Sequence, residues 1–296
     1  MSGRSDRAVR DVERPRLGCG PLLFLVGFRA HRVVRGWLNL GLAAARSVWV
    51  GLFLGVLPRR RVWALDDHYY RSEPRYRDPD HNLGGLADWE RYAVERYFSG
   101  CRRLAVTAAG GGREVLALTE MGFEVVAEEC NPALVGLANR LLAEAGIDAE
   151  VRLGPRDACG LVGESLVDGV IVGWGAYTHI QGRATRRDYL RQLRGLVRDR
   201  GPILLSFFHR PARAPMMAIV RAVAAPVRAV LGGGGSVELG DVLDPHFQHY
   251  FNEAELAGEL RSAGFELVEY STDGYAHAVG RAVDVSASPE AAAGRS

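Results

Sequence analysis

One stretch constrains the fold of this chain more than any other: residues 103–139, RLAVTAAGGGREVLALTEMGFEVVAEECNPALVGLAN. Residues 104–108 are a short apolar run that ends in Ala108-Ala109-Gly110-Gly111-Gly112. Val115, Leu116, Leu118 and Met121 then recur at helical spacing, and Gly122 marks a stop. A second apolar run, 123–127, closes on Glu128-Glu129, and Asn131-Pro132 opens a further helix by capping its first amides. Two strands joined by a crossover helix form a right-handed parallel pair. Glycines at the first turn let a ligand approach the backbone. An acid at the tip of the second strand can accept both hydroxyls of a ribose; Glu129 follows Gly112 by seventeen positions, against the ~20 of nucleoside-binding units. The unit points to a nucleoside-containing cofactor.

The rest of the chain extends this pattern. Strands are expected at 149–153, 166–172 and 203–208, with a helix over 185–198 between the last two. Strands alternating with helices imply an α/β fold with a doubly wound, mostly parallel sheet. A helix to Ala263 and two strands, 266–270 and 275–283, add a C-terminal antiparallel hairpin and bring the sheet to seven strands. Residues 209–251 interrupt the alternation with a helix broken near Pro226 and the His-rich PHFQHYF. This is long for a connection and reads as an insertion or lid.

Charge separates the N-terminal region from the remainder. The formal net charge is +2, yet residues 1–62 hold twelve arginines against Asp6, Asp11 and Glu13. Residues 1–16 read as a disordered basic tail, 17–85 as an apolar helical arm with an ordered loop over 62–82, and 286–296 as a disordered tail. At 100° per residue Arg29, Arg32, Arg35, Asn39 and Arg46 fall within roughly one third of a helix circumference. Three roles suit such an arm: capping the 86–285 domain or pairing with a second copy, lying on an anionic membrane surface over 17–61, or spanning a membrane over 38–57. Four scattered cysteines without metal spacing suit a reducing, cytoplasmic location, peripheral at the inner membrane surface if the arm binds lipid. No metal is expected. The net acidic catalytic part argues against a nucleic-acid partner.

The order of these pieces resembles the Rossmann-like, class I S-adenosylmethionine-dependent methyltransferases. The residues carrying the resemblance are AAGGGREVLAL, VVAEECNPALVGLAN, VDGVIVGWGAYTHI, DRGPILLSFF and FNEAELAGELRSAGFELVEY, spread over 90–283. The resemblance implies S-adenosyl-L-methionine as cofactor. By it, Ala108, Gly110 and Gly112 would line the methionine and ribose part, and Glu129 would hold the ribose hydroxyls. Asp157, with Ala158 beside it, would meet the adenine, and Gly173 and Trp174 would face the methyl group. Ala108 stands where the family's first glycine is usual, and Val106 where an acid is often found. The implied function is methyl transfer to a small-molecule or lipid-like acceptor. Candidates for a base are Tyr177, His179, His209, His246 and His249; Asp66, Asp67, His68, Tyr69 and Tyr70 are candidates for a substrate rim. Two other readings share parts of the pattern: an NAD(P)-dependent oxidoreductase, although Arg113 sits at the third glycine position of its turn, and a non-catalytic membrane-associated protein that kept the fold.

Overall fold

The computed structural model describes residues 19–231 and 235–284; the expected tails 1–16 and 286–296 lie outside the described residues. The chain divides after Arg46 into two units. The first contains the greater part of helix α1 (Cys19–Val56), in which residues 27–42 are all exposed. Helix α1 runs without a break through its charged positions.

The second unit is built on a seven-stranded sheet of β1 (Arg103–Thr107), β2 (Glu124–Glu129), β3 (Val151–Leu153), β4 (Gly169–Val172), β5 (Pro202–Ser206), β9 (Phe265–Ser271) and β10 (His277–Ala282). Their order in the sheet is β3-β2-β1-β4-β5-β10-β9. The first five pair in parallel, and β10 runs antiparallel to both β5 and β9. The expected α/β architecture and terminal hairpin are therefore present. Central strands read as apolar runs because both faces are covered: Leu104, Val106, Ile171 and Leu204 pack on one side, and Ala105, Val170, Val172 and Leu205 on the other. Helices α5 (Arg113–Glu120), α6 (Pro132–Glu144), α7 (Arg183–Leu196) and α9 (Glu253–Ser262) connect the strands, and α4 (Asp88–Tyr97) precedes them. Strand order reverses between β1 and β4, which opens a crevice at the carboxyl ends of the strands.

Three local expectations are corrected. Residues 62–82 are helical rather than a loop: α2 (Arg59–Ser72), a 3-10 turn (Pro74–Arg77) and α3 (Pro79–Leu83). Arg59, Trp63, Asp66 and Tyr70 recur at helical spacing, and this face meets Asp157, the Phe247 amide and His179. The fifth strand stops at Ser206; Phe208–His209 forms β6, which pairs with β8 (Phe247–Phe251), itself paired with β7 (Asp241–Leu243). The 209–251 segment thus carries a second, three-stranded sheet. Its helix α8 (Pro215–Val230) runs through Pro226, whose exposed position lets solvent take the carbonyl the proline cannot bond.

The second sheet is tied to the domain by buried ion pairs. The Arg186 guanidinium meets Glu259 at 2.7 Å and Glu238 at 2.8 Å, and Arg210 meets Glu255 at 2.9 Å. His249 bonds Asp241 at 2.6 Å and Glu255 at 3.2 Å. Burial opposes charge on His249, but these two carboxylates outweigh it and raise its pKa. Tyr177 donates to Glu259 at 2.7 Å.

Candidate functional site

Two adjoining pockets occupy the crevice. The first is an open pocket of about 820 Å³, counted out into solvent, and is bounded by the ends of β1, β2 and β4, the Gly154–Ala158 loop, and Tyr70 and Tyr76 from the helical segment. The second, about 1050 Å³, shares Tyr70, Tyr76, Ala108, Gly110, Trp174 and His179 with it and extends toward His81, His246 and Tyr275.

The glycine turn is shaped by close backbone approach. Ala108 has φ 53°, Gly110 56° and Gly112 93°, all left-handed. Gly110 lies under the Tyr76 ring: a Cβ there would stand 3.1 Å from it. Gly112 caps α5 and faces Ala138 rather than either pocket. Gly173 also lies behind the pocket wall, where a Cβ would meet the Ala108 carbonyl oxygen at 2.0 Å. Ala108 carries a side chain in a conformation that costs an L-residue roughly 1–2 kcal/mol. Ala108→Gly relieves that cost while adding chain entropy, so a net stabilisation of about 0.5–1 kcal/mol is expected in urea unfolding.

Glu129 is held at the tip of β2 by two amides: Gly110 N–H donates to Oε2 at 2.9 Å and Asn131 N–H to Oε1 at 2.8 Å. Burial raises its pKa, and the two amides act against that rise. A carboxylate has about four acceptor positions, so its pocket-facing lone pairs can still take a diol. Glu128 accepts from Gly160 N–H at 2.8 Å, and burial pushes its pKa up to about 7.

Asp157 and Ala158 line the first pocket opposite Glu129. The Asp157 carboxylate also meets Arg59 at 2.8 Å and the Trp63 indole N–H at 3.1 Å, so helix α2 clasps the loop expected to meet the adenine. Arg156 reaches Asp66 at 3.4 Å and also pairs with Asp67. Burial raises the Asp66 pKa to about 7.

Trp174 forms a wall common to both pockets. The Arg113 guanidinium lies 5.1 Å from its ring, and Tyr275 meets it edge-on at 5.1 Å. Arg113 itself is fixed by Glu90 and Glu114, each at 2.7 Å.

Among the base candidates, His179 lines both pockets and His246 the second. Tyr177 and His249 are fully buried in the ion-pair network. His209 bonds the Tyr270 hydroxyl at 2.8 Å, away from both pockets. His179 Nδ1 lies 2.8 Å from the Phe247 carbonyl, which can only accept, so Nδ1 carries the proton. Burial lowers the His179 pKa to about 3. Its Nε2 therefore accepts from the Tyr70 hydroxyl at 2.7 Å. Burial likewise drives the Tyr70 pKa well above its ordinary value. His246 approaches the same hydroxyl at 3.5 Å, with burial lowering its pKa to about 4.

Glu238, His249 and Glu255 bring ligand atoms within 4.8 Å of one another. Arginines 183, 186 and 210 already balance both carboxylates, and both His249 ring nitrogens are taken up by Asp241 and Glu255, so the chemistry of the set suits an ion-pair network rather than a metal. Thr107, Tyr76 and Arg156 were not singled out by sequence reasoning. Tyr76 had a signal in its place within an aromatic-rich segment; Thr107 and Arg156 had none.

This sheet order, with the crevice at its switch point, defines the fold of the class I S-adenosylmethionine-dependent methyltransferases, and solved structures agree. The chain is similar to the sugar N-methyltransferase KedS8 from Streptoalloteichus sp, at TM-score 0.52 and 18% identity over 71% of this chain and 91% of that one. It is similar to the methyltransferase CcbJ from Streptomyces caelestis, at TM-score 0.52 and 19% identity over 73% and 96%. A S-adenosylmethionine-dependent methyltransferase from Methanosarcina mazei gives TM-score 0.53 and 15% identity over 67% and 99%. No protein-family model matches the chain, and no curated protein matches it by sequence.

Proposed function

We propose that the chain is an S-adenosylmethionine-dependent methyltransferase acting on a small-molecule or lipid-like acceptor. The observation that carries this reading is the pairing of the two pockets. One is closed by the amide-pinned Glu129 and by Asp157, and the other adjoins it across Trp174 and His179. The residues present fit the cofactor: Glu129 would hold the ribose diol, Asp157 and Ala158 the adenine edge, and Ala108 and Gly110 the amino-acid part. Bound there, the cofactor supplies a sulfonium methyl that a nucleophile takes in line as the carbon–sulfur electron pair returns to sulfur. Isothermal titration with S-adenosylmethionine tests the reading; no binding overturns it. A small-molecule acceptor accords with the sugar substrate named for KedS8. The setting in this reading is cytoplasmic, and the arm over 17–61 remains available to a membrane surface or a second copy.

The protein's own part in the chemistry is alignment. With its proton directed to His179 Nε2, Tyr70 Oη can accept a hydrogen bond from an acceptor hydroxyl or amine and so hold the nucleophile toward the methyl group. Tyr70→Phe is expected to lower methyl transfer about tenfold, roughly 1.4 kcal/mol of barrier, with cofactor affinity little changed. Labelled methyl incorporation into a panel of amino sugars and hydroxylated lipids checks this.

Stability should report the same imidazole. Its folded pKa of about 3 lies below the unfolded value, so the unfolded chain binds the proton first. The contribution is complete above about pH 6.5 and is lost as pH falls toward the folded value. Relative to His179→Gln, the unaltered protein should lose about 2 kcal/mol between about pH 7 and 5 in urea unfolding. Asp66 and Glu128, with raised pKa values, shift in the opposite sense over this range, but equally in both proteins.

A further inference from the structure

The exposed apolar surface of both units goes beyond what methyl transfer requires. In the first unit, residues 27–42 of α1 are exposed without exception, including Trp37 at 70% and Leu38 at 62%. At 100° per residue, Val33, Val34, Trp37, Leu38 and Leu40 share an arc of roughly 160°, while Arg29, Arg32, Arg35 and Arg46 share roughly 120° on the other side, where Phe28 and Leu42 are also exposed. In the second unit, Trp49 and Phe53 pack ring to ring at 4.6 Å yet stay 63% and 43% exposed. Val230 and Leu231 at the end of α8 are 85% and 58% exposed. Arg228 brings that end beside the end of α1, reaching the Leu57 carbonyl at 3.3 Å. Arg60 and Arg61 are exposed immediately after, and residues 14–65 contain no acid at all.

We propose that the chain binds anionic lipid bilayers through α1, which lies in the plane of the interface. Tryptophan and aliphatic side chains enter the acyl boundary while arginines meet the headgroups, as in basic amphipathic interfacial helices. Gly27–Val56 is long and apolar enough to cross a bilayer by length and composition. Crossing over 38–57 would place Arg46 in the hydrocarbon at about 2.5–3.5 kcal/mol, whereas lying flat leaves it at the surface. A second copy of the helix would need only a narrow apolar seam, and the arc here is much wider.

Flotation of the full chain with vesicles tests this, independently of any cofactor. Phosphatidylcholine/phosphatidylglycerol vesicles should carry the protein upward, and phosphatidylcholine alone at least about tenfold less. Raising the salt to about 1 M should weaken flotation. The paired changes Trp37→Glu/Leu38→Glu and Trp49→Glu/Phe53→Glu should each reduce it severalfold with unchanged thermal unfolding. Equal recovery on neutral vesicles, or flotation indifferent to both paired changes, overturns the proposal. So does retention in vesicles after alkaline carbonate, which marks a spanning helix. So does a dimer in light scattering that Trp37→Glu dissociates without any flotation.

Discussion

Glu129→Ala is expected to weaken S-adenosylmethionine binding by about a hundredfold, close to 3 kcal/mol. Two losses combine. The diol loses a pinned acceptor, and the amides of Gly110 and Asn131, which donate to Glu129 at 2.9 and 2.8 Å, lose their partner. An orphaned buried amide costs about 1–3 kcal/mol, and the glycine turn would relax to find water. Removing a carboxylate that burial already disfavours offsets part of the cost to folding, so the damage should appear in binding more than in stability. Glu129→Gln sharpens the test. It keeps the volume and one acceptor but turns an NH2 toward a backbone N–H, so an intermediate loss of about tenfold is expected. Calorimetric titration of both variants, with circular dichroism to confirm the fold, measures this. Equal affinity in all three proteins would remove Glu129 from the cofactor site.

The second large effect concerns Gly173. Its amide donates to the Thr107 carbonyl at 2.8 Å, joining the end of β4 to the end of β1. A methyl group there would lie 2.0 Å from the Ala108 carbonyl oxygen and 3.0 Å from its carbonyl carbon. Both are backbone atoms, so no rotamer can relieve the overlap; the strand ends must separate. Gly173→Ala should therefore destabilise by about 3 kcal/mol or more, at the upper end for overpacking, and displace Trp174 from both pockets. Gly258→Ala is the control: its Cβ meets nothing within 4 Å in helix α9, and it should be neutral or slightly stabilising. Urea unfolding compares the two. A Gly173→Ala protein as stable as the parent would mean that β1 and β4 do not close in this way.

The sheet was readable because its signals are local. Val106 and Ile171 sit in apolar runs that only doubly covered strands need, and Asn131-Pro132 announces a helix start within two residues. The partners of the site were not. Asp157 meets Arg59 and Trp63 across more than ninety positions, and no pattern within either segment records the pairing. The candidate bases failed to converge for a related reason. Tyr177 and His249 have the right chemistry, but Glu259, Asp241 and Glu255 claim them for structural bonds. Helix α2 was legible in principle from the spacing of Arg59, Trp63, Asp66 and Tyr70; its aromatic, proline-bounded composition suggested a loop instead. The left-handed Ala108 shows the reverse case: an apparent departure from the glycine pattern keeps the turn geometry with a side chain attached.

The central claim is that the crevice between β1, β2 and β4 is a S-adenosylmethionine site. Parallel calorimetric titrations of the full chain with S-adenosylmethionine and with NAD test it most directly. One-to-one binding of S-adenosylmethionine and no measurable heat with NAD are expected. Tighter binding of NAD, or no binding of S-adenosylmethionine by the correctly folded protein, would contradict it.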